Sequence, residues 1–138
     1  MITIKKKEIV KLEAVLHLYQ AVGWTNYTHQ PEMLEQALSH SLVIYLALDG
    51  DAVVGLIRLV GDGFSSVFVQ DLIVLSSYQR QGIGSSLMKQ ALKDYKDTYQ
   101  VQLVTDQTER TLGFYRSMGF EILSTYDCTG MIWTNREK

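Results

Sequence analysis

One cysteine, Cys128, and one proline, Pro31, occur in the 138 residues. A single cysteine excludes an internal disulfide and suits a reducing compartment. With so little proline, the punctuation of the chain falls to its ten glycines. Neither sign of charge dominates: 13 basic residues against 15 acidic ones leave a net charge of −2. That balance gives no general pull toward nucleic acid or an anionic membrane. No apolar run reaches the roughly 18 residues of a membrane helix, and the N-terminus lacks the apolar core of a signal peptide. His, Cys, Asp and Glu nowhere take the spacing of metal ligands. We therefore expect a cytoplasmic protein, monomer or homodimer, with no metal, nucleic-acid or membrane partner.

What is present is an ordinary globular mixture, 46% apolar and 20% charged, enough for one compact domain spanning residues 1–138. Residues 1–4 suit a short strand, and Lys5, Lys6 and Lys7 suit the solvated start of a helix over 8–22. There Ile9, Leu12, Val15, Leu16 and Tyr19 recur at helical spacing, and Gly23 can end the helix. A loop, 23–30, precedes a second helix opened by Pro31. Strands are expected at 42–48 and 52–60, joined by Asp49-Gly50-Asp51, a strong hairpin signal. A third follows at 65–75, after Gly61-Asp62-Gly63. Leu87, Met88, Ala91, Leu92 and Tyr95 share one face of the next helix. A strand at 101–105, a helix at 109–118 stopped by Gly119, and two weaker strands at 121–126 and 129–133 complete the order. The expectation is an α/β (α+β) fold: a mixed sheet of about seven strands flanked by about four helices.

The densest feature is Gln79-Arg80-Gln81-Gly82-Ile83-Gly84-Ser85, between an apolar strand and an amphipathic helix. Glycines at such a junction allow close backbone approach, and a helix start offers unpaired N–H groups and a positive dipole end. Phosphate or pyrophosphate suits that geometry; the plain alternative is a tight turn. The third glycine of a dinucleotide fingerprint is missing, and so is the Gly-Lys-Ser/Thr of a Walker A loop.

Gln79 to Gly84 fits Gln/Arg-x-x-Gly-x-Gly/Ala, and in this the chain resembles the GNAT N-acetyltransferase superfamily. The resemblance extends to Asp71-Leu72-Ile73-Val74, similar to the family's fourth strand. It extends also to Phe114-Tyr115-Arg116-Ser117-Met118-Gly119-Phe120, similar to its Phe/Leu-Tyr-x-x-x-Gly-Phe segment. It implies an acetyl-CoA-dependent enzyme acting on a primary amine by direct attack in a ternary complex. The implied acceptor is a small molecule, with a protein N-terminus or lysine as the alternative. A CoA-binding sensor or docking module without catalysis is the rival from another class.

By the same resemblance Gln79, Arg80, Gln81, Gly82, Ile83, Gly84 and Ser85 hold the pyrophosphate. Backbone groups near Ile73, Val74 and Leu75 pair with pantetheine and the thioester. Tyr115 protonates the departing thiolate; otherwise it is a packing aromatic, as Phe114 is expected to be. Thr108 stands where the family favours an asparagine on the pantetheine arm, and it can also cap its helix. Asp71 is the first choice of general base, the alternative being a structural partner of Arg58 or Arg80. Trp24 and Tyr27 either wall the acceptor site or plug the core beneath their loop. His17 and His40 are expected at the surface, and Cys128 is not needed by the mechanism.

Overall fold

The structure, a computed structural model, describes residues 1–135. The chain forms two compact units, Met1–Val104 and the residues from Thr105 onward. The first unit is a five-stranded sheet in the order β1-β2-β3-β4-β5. Its strands are β1 (Ile2–Lys7), β2 (Val43–Asp49), β3 (Ala52–Gly61), β4 (Ser66–Val74) and β5 (Gln100–Leu103). The first three pairings are antiparallel and β4–β5 is parallel, so the sheet is mixed. Its helices are α1 (Leu12–Ala21), α2 (Thr25–Thr28), α3 (Pro31–Ser39) and α4 (Ile83–Asp94).

Both faces of the sheet are covered, which explains the unbroken apolar run of β2. Ile44 and Leu46 join Val15, Leu18 and Tyr19 of α1 and Leu34 and Leu38 of α3 in one core cluster. Tyr45, between them, points the opposite way and donates its hydroxyl to Asp94 of α4 at 2.6 Å. Period-two alternation therefore feeds two cores from one strand. At the β2–β3 turn Asp49 pairs with Ala52. Gly50 there takes φ +61°, a conformation open to glycine at little cost. Gly55 lets β3 lie close to β4: a Cβ there would stand 2.9 Å from the Ile73 carbonyl oxygen.

The second unit carries α5 (Glu109–Ser117), a single 3₁₀ turn at Leu123–Tyr126 and no strand among its described residues. Three expectations change. The strands expected at 121–126 and 129–133 are not formed, so the sheet has five strands rather than about seven. Residues 121–135 are all exposed and pair with no sheet, and β-branched and aromatic residues make strands only when paired and packed. The lysine run, expected to open a helix, instead continues β1, with Lys5, Lys6 and Lys7 opposite Leu46, Tyr45 and Ile44. An edge strand carries such cations with one side in water. Ile9, expected on the buried face of the first helix, lies between β1 and α1 and is exposed. Residues 25–28, expected within a loop, form the one-turn α2.

Candidate functional site

A β-bulge in β4 sets the geometry. Arg58 lies opposite Asp71 and the next pair is Leu59 with Val69, so Gln70 is an extra residue without a partner. Pairing with β5 covers only Ser66 to Val69 and ends at the same point. A bulge bends and twists its strand locally, and here it marks where β4 and β5 part. Beyond it the Leu75 N–H donates to the Val54 carbonyl at 2.9 Å. Alternation then turns the N–H and C=O of Leu72 and Val74 away from β3, toward the side β5 has vacated. Of the three residues expected to offer backbone groups, Val74 faces that open side; Ile73 and Leu75 face β3. Leu72 joins Val74 there, a residue the sequence did not single out.

The chain leaves β4 through a 3₁₀ turn at Ser76–Tyr78, where the Tyr78 hydroxyl donates to Asp49 at 2.6 Å. That bond ties the loop to the end of β2. Gln79 folds back, its Nε2 donating to the Val74 carbonyl at 3.1 Å. Arg80 and Gly82 take φ +65° and +78°, and Gly82 is the N-cap of α4 without any side-chain capping bond. The amides of the first turn of α4 therefore have no intrahelical acceptor. A Cβ on Gly82 would meet nothing within 4 Å, so φ, not crowding, demands glycine on this open surface. Gln79, Arg80 and Gln81 are exposed, Gly84 and Ser85 half-buried, and Ile83 is packed inside. An uncapped helix start beside a left-handed residue is suited to an anion.

On the α1–α3 face of β4 lies a polar network inside the apolar core. Asp71 and Arg58 are 2% and 4% exposed and are joined by a 2.7 Å ion pair through Arg58 Nε. Asp71 Oδ2 also accepts from the Tyr19 hydroxyl at 2.8 Å, and Oδ1 accepts from Tyr27 at 3.1 Å. Arg58 spends its other nitrogens on Ser41 Oγ, the Ala37 carbonyl and Tyr27 Oη. No buried side-chain polar atom lacks a partner among the described residues, as such a network requires. Burial works against the charge on Arg58, but Asp71 outweighs it and holds the guanidinium above its usual value. Burial, with the Asp71 carboxylate, pushes both Tyr19 and Tyr27 up, so both stay protonated at neutral pH.

This network realises the pairing of Asp71 with Arg58 rather than Arg80. Asp71 Oδ2 accepts two bonds and Oδ1 one, so the carboxylate is engaged on both oxygens within the core. Trp24 and Tyr27 complete an aromatic cluster with Tyr19, at ring-centre distances of 5.3 to 6.2 Å. Both pack on the core cluster while staying partly exposed. Tyr19 was read from the sequence only as part of an apolar helix face. A lone arginine and a lone aspartate in two apolar strands were the signals for the buried pair; nothing in the spacing pointed to the tyrosines. His17 and His40 are exposed, as is Cys128.

In the second unit Thr108 is the N-cap of α5, its side chain accepting from the Thr111 N–H at 3.3 Å. Asp106 in turn accepts from both the N–H and the hydroxyl of Thr108. Tyr115 is half-buried between Phe114 and Phe120, whose rings stand edge-on at 5.0 and 6.0 Å. Burial raises its phenol above the ordinary value near 10; the hydrogen bond with Thr105 opposes this only partly. Tyr115 thus carries its proton throughout the neutral range.

Residues 40–122 match the family model described as an acetyltransferase (GNAT) domain, a span that includes β2 to α5. A GNAT-family acetyltransferase from Streptococcus pneumoniae TIGR4 has a solved structure that is 85% identical. It superposes with a TM-score of 0.91, covering 99% of this chain and 100% of that one. A probable acetyltransferase from meticillin-resistant Staphylococcus aureus is 27% identical, with a TM-score of 0.80 over 97% and 99% of the two chains. Serotonin N-acetyltransferase 2, chloroplastic, of Oryza sativa subsp. japonica is 30% identical over 111 residues, 78% of this chain and 54% of that protein. The chain thus spans about half the length of the curated relatives it matches. Bulged strand, uncapped glycine turn and helix belong together for a reason: this chain is a member of the GNAT acetyltransferase family, whose enzymes use acyl-CoA.

Proposed function

We propose that residues 1–138 act as one domain that transfers an acetyl group from acetyl-CoA to a primary amine of a small molecule. The observation that carries this is the coincidence of three features at one end of β4. Its pairing with β5 stops at the Gln70 bulge, its outward backbone groups at Leu72 and Val74 are free of β5, and the uncapped start of α4 follows eight residues on. A pyrophosphate suits the amides of residues 82–85, with Gln79, Arg80 and Gln81 lining the turn. A pantetheine amide suits the strand-like ladder left by β5. An outward N–H there, such as that of Val74, can meet charge developing on the thioester oxygen.

In this reading the amine nitrogen attacks the thioester carbonyl, the C–N bond forms and the C–S bond breaks. Tyr115, protonated at neutral pH, gives its proton to the departing thiolate. The proton shed by the amine passes to solvent beside Tyr27. Asp71 serves here by orienting Tyr27, with Trp24 completing an aromatic wall for the acceptor. Thr108 keeps the capping role, with a pantetheine contact as its second task. The rice relative, named for serotonin, supports a small-molecule acceptor.

The test is CoA release from acetyl-CoA across a panel of small amines and peptide N-termini. Amine-dependent release, greatest with small amines, is the expected result. Release with peptides alone would replace the acceptor class. Acetyl-CoA binding without release for any acceptor would favour the sensor reading.

A further inference from the structure

Gln79 joins the glycine turn to the strand that precedes it, its Nε2 donating to the Val74 carbonyl at 3.1 Å. That oxygen belongs to the outward row of β4, past the end of the pairing with β5. Within each residue of the row, the carbonyl lies nearer the C-terminal end of the strand than the N–H does. The Val74 carbonyl is therefore the rung nearest the turn. A flexible chain leading away from residues 82–85 along β4 would meet it first.

The turn does not depend on this bond. The Tyr78 N–H donates to the Leu75 carbonyl at 2.8 Å, and the Gln79 N–H to that of Ser76 at 3.3 Å. The Tyr78 hydroxyl holds Asp49 at 2.6 Å. These contacts fix the backbone up to Gln79, so its side chain can swing away while the turn keeps its shape. Gln79 is exposed, so water can replace either partner and the net strength of the bond is small. Its carboxamide N–H is also the same kind of donor as the N–H of a pantetheine amide.

We propose that the Gln79 side chain competes with the pantetheine arm for the Val74 carbonyl, so that coenzyme binding exchanges one amide donor for another. The inference rests on the reading of the β4 ladder given above. In the exchange the bond from Gln79 Nε2 breaks, a pantetheine N–H takes the oxygen, and the carboxamide turns to water. Affinity for the whole coenzyme is thereby lowered by the strength of a bond that the protein makes to itself. A ligand without the pantetheine arm leaves that bond intact. The competitor also favours release of CoA once the acyl group has gone, a step that limits turnover in many enzymes.

The test compares two ligands by calorimetry: acetyl-CoA, and adenosine 3′-phosphate 5′-diphosphate, which keeps the pyrophosphate but lacks pantetheine. In Gln79→Ala the dissociation constant of acetyl-CoA should fall about threefold or more, the scale of one exposed hydrogen bond. That of the fragment should stay within about twofold. The side chain is exposed, so the thermal melt of the variant should match the wild type. Nuclear magnetic resonance of the wild type supplies the direct readout, with the Gln79 side-chain amide signals assigned by their loss in the variant. Their exchange with solvent should quicken on adding acetyl-CoA and stay unchanged on adding the fragment. An acetyl-CoA constant that rises in the variant, or one that moves in step with the fragment's, would overturn the exchange. The first result would make Gln79 a brace of the site, and the second would mean that the carbonyl accepts both donors at once. Wild-type protein that binds acetyl-CoA no more tightly than the fragment would remove the ladder reading, and this inference with it. Tighter binding of acetyl-CoA with an unaltered ratio in the variant would remove the exchange alone.

Discussion

Asp71→Asn tests the buried network at its centre. The change keeps the shape of the side chain but removes the charge that faces Arg58 across 2.7 Å in a site where both partners are almost fully covered. Removing one partner of a buried pair costs about 3–5 kcal/mol, because the other charge stays behind uncompensated. Ser41, Ala37 and Tyr27 continue to accept from Arg58, which favours the lower half of that range. Against a total of about 5–15 kcal/mol for a domain, this is a large fraction. For a chain of this size it corresponds to a fall in Tm of about 10–15 °C. Urea unfolding followed by the fluorescence of Trp24, which packs beside Tyr19 and Tyr27, measures the loss directly. The companion is the double variant Asp71→Leu with Arg58→Met, which removes both charges and keeps the volume apolar. It should recover at least half of what Asp71→Asn loses, since no charge is left unpaired. A loss below about 1 kcal/mol in the single variant would show that the pair is solvated rather than buried. Additive losses in the double variant would refute the argument from an uncompensated charge.

Further outcomes follow from the same structure. Tyr115→Phe should lower kcat at least tenfold while leaving acetyl-CoA affinity within about twofold, as read by CoA release and calorimetry. Because burial raises that phenol, wild-type kcat should hold through neutral pH and fall only as pH rises above about 10; loss of activity near pH 8 would assign the step to another group. Gly82→Ala meets open space and pays only for its backbone, about 1–2 kcal/mol, yet its methyl points where the pyrophosphate is proposed to sit. Acetyl-CoA affinity should therefore fall more than stability does, by calorimetry and thermal melts. Gly61→Ala is the reverse case: at φ +125° its Cβ would overlap the Ser66 carbonyl, so the fold should lose about 2 kcal/mol or more in denaturant titration. Tyr27→Phe should raise KM for the amine with little change in KM for acetyl-CoA, because the lost hydroxyl is bonded to Asp71 and Arg58.

Local chemistry made much of the first unit legible. Asp49-Gly50-Asp51 announced the β2–β3 hairpin, Pro31 the start of α3, and the spacing of Leu87, Met88 and Ala91 the buried face of α4. Where the sequence misled, long-range pairing decided the outcome. Lys5 to Lys7 joined β1 because β2 lay alongside, a partner about 40 residues away that no local window contains. Residues 121–133 carry strand-forming side chains, but a strand is a property of a pair, and among the described residues they have no strand partner. At the candidate site, the glycine turn and Tyr115 belong to short motifs and were visible as such. Tyr19 and the Gln70 bulge were not, because both are defined by what sits opposite them: a carboxylate 52 residues away, and one residue too many in a ladder.

That extra residue at Gln70 divides β4 into a half paired on both sides and a half paired on one. Below it, Ser66 to Val69 are locked between β3 and β5 whatever is bound. Above it, the amides of Leu72 and Val74 face away from β3, past the end of the pairing with β5. The cofactor would thus act as a temporary sixth strand, and its arrival should be recorded in the backbone itself. Exchange of the Leu72 and Val74 amide hydrogens with solvent should slow on acetyl-CoA binding, while that of Val67 and Val69 stays as it was.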